Sequence, residues 1–121
     1  MLIGVPAEIK AQESRVGLTP ESVRQLVNHG HQVLVQDQAG YGAGFENSDY
    51  ENSGAKILKE ASDIFYDADL IIKVKEPLQK EVEMLHENQI LFTYLHLAAA
   101  PELTAGPVSY THLTLPTILL V

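Results

Sequence analysis

Apolar positions in this chain fall into short unbroken runs, separated by stretches in which they recur at helical spacing. Leu2 to Val5 is a run ended by Pro6 and predicts a buried strand. Thr19-Pro20-Glu21-Ser22 predicts a helix start: a threonine hydroxyl can accept from a free amide, proline fits the first helical position, and glutamate suits the positive end of the dipole. Val23, Leu26 and Val27 then share one face, and Gly30 ends the helix. Gln32 to Gln36, with Val33, Leu34 and Val35 inside it, predicts the next strand. The alternation continues with a short helix over Ser48 to Asn52, a weak strand over Ala55 to Ile57 and a helical turn over Ser62 to Tyr66. A clear strand over Asp69 to Val74 follows, then a helix over Gln79 to Leu85 with its acidic residues outward. A strand over Gln89 to Tyr94 and a helix beginning at Pro101 complete the series.

A helix that leaves one strand and delivers the chain to another is the βαβ unit, and apolar runs without alternation suit strands buried on both faces. The fold class is therefore α/β, a parallel sheet of flavodoxin-like or Rossmann-like type. The pattern breaks near the end. From Leu103 to Val121 there is no charged residue, and Gly106-Pro107 stops the helix that Pro101 begins. The segment from Val108 onward has no helical period; it alternates weakly, as an edge strand would, between Pro107 and Pro116. A charge-free apolar end on an acidic protein is locally inconsistent. Residues 1–105 are expected to be one incomplete domain. Residues 106–121 are read as foreign to it, through truncation, frame shift or adapter read-through, with a genuine terminal strand as the alternative.

Charge and composition narrow the function. The net charge of −8 argues against a nucleic-acid-binding surface, and 45% hydrophobic residues in 121 allow a real core. Cysteine is absent, so disulfides and thiolate chemistry are excluded. Met1 to Pro6 is too short for a signal core, and no apolar run reaches the ~20 residues that span a bilayer. The expected setting is soluble and cytoplasmic, with no membrane partner.

Three side chains carry candidate chemistry. Arg15 lies in the polar loop between the first strand and the first helix, and a guanidinium grips a carboxylate with two parallel donors. Its bland alternative is a surface arginine paired with Glu13 or Glu8. Lys75 follows the strand that ends in Lys73-Val74; both lysines are expected at the strand's C-terminal tip, because burying them is costly. That edge binds ligands in open α/β sheets, although a solvated strand end is the competing reading. His96, just past the last strand, has the titration range for proton transfer both ways, or is a core histidine bonded to a carbonyl. No histidine pair shows metal-ligand spacing with a third partner. The run Ala39-Gly40-Tyr41-Gly42-Ala43-Gly44-Phe45 lacks the third glycine of a dinucleotide fingerprint and reads as a tight loop shaping a pocket or interface.

Four motifs in order resemble bacterial alanine dehydrogenases. They are Met1 to Lys10 with Glu13 to Pro20, Gly40 to Phe45, Lys73 to Pro77, and Leu91 to Ala98. The α subunit of proton-translocating nicotinamide nucleotide transhydrogenase is similar in its start and fold but lacks the Tyr94-Leu95-His96-Leu97 pattern. The resemblance implies that Arg15 and Lys75 hold the carboxylate and carbonyl oxygens of pyruvate. It makes His96 the acid/base for water attack on the imine and loss of ammonia, with Glu8 and Tyr94 lining the site. It also implies an NAD-dependent oxidation of L-alanine by a cytoplasmic homohexamer. The family's dinucleotide-binding domain, with its glycine fingerprint and catalytic aspartate, has no counterpart in these residues. This chain alone is thus expected to lack dehydrogenase activity. A stand-alone module that binds small oxo acids, and a transhydrogenase α-subunit fragment, are the alternative readings.

Overall fold

The structure, a computed structural model, describes residues 1–9, 13–75, 77–93 and the backbone of 117–120. Its strands are β1 (Leu2–Val5), β2 (Gln32–Gln36), β3 (Lys56–Leu58), β4 (Leu70–Ile72), β5 (Ile90–Thr93) and β6 (Thr117–Leu120). The helices between them are α1 (Pro20–Asn28), α2 (Asn47–Asn52), α3 (Ala61–Asp67) and α4 (Gln79–Val82). The sheet order is β3-β2-β1-β4-β5-β6. The first five strands run parallel, as expected, and β6 lies antiparallel to β5 with Thr117 opposite Thr93. The order 3-2-1-4-5 is that of the Rossmann type, so the chain reverses its direction of growth between β1 and β4.

Each face of the sheet has its own packing layer. On one face α1 and α2 cover Ile3, Val5, Val33 and Val35, with Val23 and Tyr50 as the fully buried contributions of the helices. On the other, Ile64, Phe65 and Ala68 of the α3 segment pack on Leu34, Ile71 and Leu91. Adjacent residues of one strand thus enter different layers, which is why the runs read as continuously apolar. Helix α1 starts where the capping residues placed it, with the Thr19 hydroxyl accepting from the Ser22 N–H at 3.2 Å. Tyr50 is anchored through its hydroxyl, which donates to the Leu18 carbonyl at 2.8 Å; burial, aided by the Asp49 charge, pushes its pKa up to about 12.

Two expectations need correction. Helix α4 is four residues long, and Glu81 within it is 2% exposed and turned inward rather than outward. Strand β4 ends at Ile72, and Lys73 does not sit in solvent at its tip but is 1% exposed. The two departures have one cause, an ion-pair cluster at the site.

Candidate functional site

The C-terminal ends of β1 and β4 meet at the point where strand order reverses, and a crevice of about 410 Å³ opens there. Arg15, Gly17, Phe45, Ile72, Lys73 and Phe92 are among the residues lining it. Two segments shape the crevice, the loop leaving β1 and the turn leaving β4. The first is tied at Ala7, whose N–H donates to the Gln36 side chain at 2.8 Å. Further on it runs against β4 so closely that a Cβ on Gly17 would come within 2.5 Å of the Ile72 carbonyl oxygen. Only glycine permits that approach, and it brings residues 13–15 beside residues 73–75.

Lys73 is held between two carboxylates, its Nζ 3.2 Å from Glu8 Oε1 and 3.2 Å from Glu81 Oε2. All three side chains are at most 3% exposed. Burying an ammonium is tolerated when its partners are buried with it and their remaining lone pairs are occupied. Here they are: Glu8 also accepts from the N–H groups of Val74 (2.9 Å) and Lys75 (3.0 Å), and Glu81 accepts from the Leu78 N–H at 2.9 Å. The cluster welds the ends of β1, β4 and α4 together. It also fixes the backbone of Lys75, whose carbonyl accepts from the Thr93 hydroxyl at 3.0 Å.

Glu13 links the two cations singled out from the sequence. Arg15 grips its carboxylate with two donors, Nε to Oε2 and Nη2 to Oε1, both at 3.0 Å. The Arg15 backbone N–H adds a third bond at 2.8 Å, and Lys75 Nζ stands 3.8 Å from Oε1. The hydrogen bond from Arg15 holds the Glu13 carboxyl below its usual range despite burial, and the same bond raises Arg15. Arg15 is therefore paired with Glu13, as its bland alternative held, and is at the same time on the crevice wall beside Lys75.

Glu8 belongs to the site but through Lys73 and two backbone amides, with its side chain only 2% exposed. His96 and Tyr94 lie outside the described residues. Sequence reasoning passed over Lys73, Glu81 and Thr93 as working parts of the site. The signal for the first was present, since a lysine ending an apolar strand must find an anion, but nothing local says which one. The glycine loop holds no dinucleotide cradle: a Cβ on Gly40 would strike the Tyr50 ring at 2.5 Å and one on Gly42 would press on Ser14 at 3.2 Å. These glycines serve packing, and this loop does not fit the pyrophosphate of a nicotinamide dinucleotide. Among the described residues no group of His, Asp or Glu has the arrangement to hold a metal ion, and no helix is long and apolar enough to cross a membrane.

Comparison with known proteins agrees with this geometry. Residues 4–110 match the family model described as "Alanine dehydrogenase/PNT, N-terminal domain". The alanine dehydrogenase of Bacillus subtilis (strain 168) is 53% identical over 103 residues, 85% of this chain and 27% of that protein. The alanine dehydrogenase of Methanococcus maripaludis is 52% identical over 104 residues, 86% of this chain and 28% of that protein. A solved L-alanine dehydrogenase superposes with a TM-score of 0.81 at 55% identity, over 86% of this chain and 28% of that one. The transhydrogenase from Sinorhizobium meliloti gives 0.78 at 25% identity, over 84% and 30%. The chain thus spans under a third of the length of these relatives, and β6 falls beyond the residues the family model matches. With the strand order, the crevice at the switch point and the match over residues 4–110 in agreement, the chain belongs to the alanine dehydrogenase/PNT N-terminal domain family.

Proposed function

We propose that this chain is the substrate-binding part of an NAD-dependent alanine dehydrogenase. The reaction would convert L-alanine, water and NAD+ to pyruvate, ammonium, NADH and a proton. The observation that carries the reading is the placement of Arg15 and Lys75 side by side on one buried carboxylate, at the edge of the sheet where α/β proteins bind ligands. Arg15 would take the substrate carboxylate in two-pronged fashion and Lys75 the oxygen on the α-carbon. His96 would move the proton to and from attacking water, with Tyr94 as a further residue of the site. Glu8 serves by holding Lys73 and the Lys75 backbone. The greater identity to alanine dehydrogenases than to the transhydrogenase favours the amino-acid substrate. The complete enzyme would be a cytoplasmic homo-oligomer, a hexamer by resemblance, and NAD would be held by polypeptide outside the residues present here.

Residues 1–105 then form the incomplete substrate domain, and 106–121 are a segment foreign to it. The pairing of Thr117–Leu120 with β5 is compatible with that, because an unpaired strand edge accepts any apolar, β-prone segment in reach.

Sequencing the source DNA past the codon for Ala105 tests the reading. The frame should run on into a glycine-rich strand–turn–helix, and the complete product should form NADH from L-alanine while the 121-residue chain does not. NADH formation by this chain alone, or a complete product inactive on alanine, would refute it. The crevice formed wholly by this chain favours a second reading, a stand-alone module for small oxo acids. Calorimetry with pyruvate separates the two: micromolar binding by the 121-residue chain supports the module, and no heat supports the incomplete enzyme.

A further inference from the structure

We infer that Glu13 is a positioning residue, the buried anion on which the Arg15 guanidinium and the Lys75 ammonium are seated together so that one small carboxylate meets both. This rests on the substrate-binding reading above. The burial of the three side chains is unequal in a telling way: Glu13 is 3% exposed, Arg15 68% and Lys75 42%. A carboxylate that merely filled the ligand's place would be the mobile, exposed member of the trio. Here the anion is the fixed member and the cations are presented to solvent above it.

The geometry of Arg15 supports the same division. Nε and Nη2 are turned to Glu13, while Nη1 makes no hydrogen bond to a described residue. Guanidinium is planar and rigid, so fixing one edge fixes the direction of the other. The loop carrying Glu13 packs closely on both sides, since a Cβ added to Gly42 would meet Ser14 at 3.2 Å and one added to Gly17 would meet the Ile72 carbonyl oxygen at 2.5 Å. Lys75 receives complementary restraint, with its backbone pinned by Glu8 and Thr93 and its ammonium drawn toward Glu13. A free arginine or lysine side chain loses much rotamer freedom on gripping a ligand. Seating both beforehand removes part of that cost and sets their spacing.

Two measurements test this. In the 121-residue chain, the 15N–1H resonance of Arg15 Nε should be protected from solvent exchange. Glu13→Gln, which keeps the side chain's length but not its charge, should abolish the protection. In the complete dehydrogenase polypeptide, Glu13→Gln should lower kcat by about 10- to 100-fold, the scale of a small misplacement of a reacting group. KM for pyruvate should rise by a smaller factor than kcat falls, because the lost preorganisation weakens binding while removal of a negative charge beside the cations offsets part of that loss. Glu13→Asp, with the charge one methylene short of its place, should recover part of kcat and gives the same readout if Glu13→Gln does not fold. An Arg15 Nε resonance indifferent to Glu13→Gln overturns the seat, and an unchanged or raised kcat overturns the positioning role. A complete wild-type polypeptide without alanine dehydrogenase activity would instead sink the enzymatic reading. The seat would then stand or fall on the Arg15 resonance, and on whether pyruvate shifts it in the wild type and not in Glu13→Gln.

Discussion

Replacing Lys73 by methionine should be among the most damaging single changes available to this chain. Methionine fills a similar length, so the loss is one of charge rather than volume. The ammonium of Lys73, 1% exposed, stands 3.2 Å from each of two carboxylates that are no more than 3% exposed. Removing it strands two buried anions. Glu8 retains the Val74 and Lys75 amides and Glu81 retains the Leu78 amide, so neither is bare. Breaking one buried pair by removing a partner costs roughly 3–5 kcal/mol. With three amide donors left for two carboxylates, about 4 kcal/mol is a better figure than twice that range. Unfolding entropy of roughly 2 cal/mol/K per residue then makes the shift in Tm about 15 °C for a chain of this length. With a urea dependence of roughly 1.5 kcal/mol/M, the midpoint should fall by ~2–3 M. Far-UV circular dichroism during thermal and urea unfolding measures both. Lys75→Met is the control: its side chain is 42% exposed, and its change should stay within about 0.5 kcal/mol. If Lys73→Met lost less than ~1 kcal/mol and behaved like Lys75→Met, Lys73 would be reaching water and the dry cluster would not exist.

Other positions give independent checks. Gly17→Ala puts a methyl 2.5 Å from a backbone oxygen that cannot rotate away, and should destabilise by about 1–3 kcal/mol by urea titration; a neutral result would mean that the loop does not lie against β4. Gln89 is fully buried and its Nε2 donates to the Phe65 and Ala68 carbonyls at 2.7 and 2.9 Å, so Gln89→Leu should cost about 1–3 kcal/mol, and faster amide exchange near the end of α3 should accompany it. Glu13 has its folded-state pKa depressed below the ordinary carboxylate value of 4.5, first by the Arg15 hydrogen bond. Its contribution is therefore present above pH 4.5 and is lost as pH falls through the lower folded value. Wild-type stability should drop more steeply below that point than that of Glu13→Gln, and parallel curves from pH 6 to 3 would contradict the assigned bond.

Much of the scaffold was legible because its determinants are local. Leu2 to Val5 and Gln32 to Gln36 coincide with β1 and β2, since each has an unbroken apolar run with a clear local end, Pro6 after the first and a glutamine on either side of the second. Helix α1 was marked by a proline at its first position and a threonine that does accept the Ser22 amide. The errors gather where a residue's state depends on a partner far along the chain. Local rules put Lys73 at the strand tip because burying it is costly, and Glu81 on an outer helix face. Each rule fails because the two meet, with Glu8 joining them from 65 residues away. Arg15 was weighed as either a ligand-binding cation or the partner of Glu13, as though one excluded the other; the structure pairs it with Glu13 at the crevice wall.

The charge balance of the crevice bears on how such a site could select a ligand. Among the described residues, Arg15 and Lys73 on the crevice wall and Lys75 beside Glu13 are matched by Glu8, Glu13 and Glu81, in a protein carrying −8 overall. A carboxylate approaching from beyond the Debye length of ~8 Å therefore meets little attraction from the crevice and mild repulsion from the surface. On the proposed function, affinity would arise at contact, from the directions in which donors are held: the outward edge of Arg15 and the ammonium of Lys75, both paired with Glu13. A site of that kind discriminates by shape and spacing rather than by charge. With the proposed substrate, it would give weak grip to an arbitrary anion and firmer grip to one whose second oxygen falls where Lys75 stands, which a 2-oxo acid provides and a simple carboxylate does not. The buried glutamates are, on this argument, as much a part of the specificity as the exposed cations they hold.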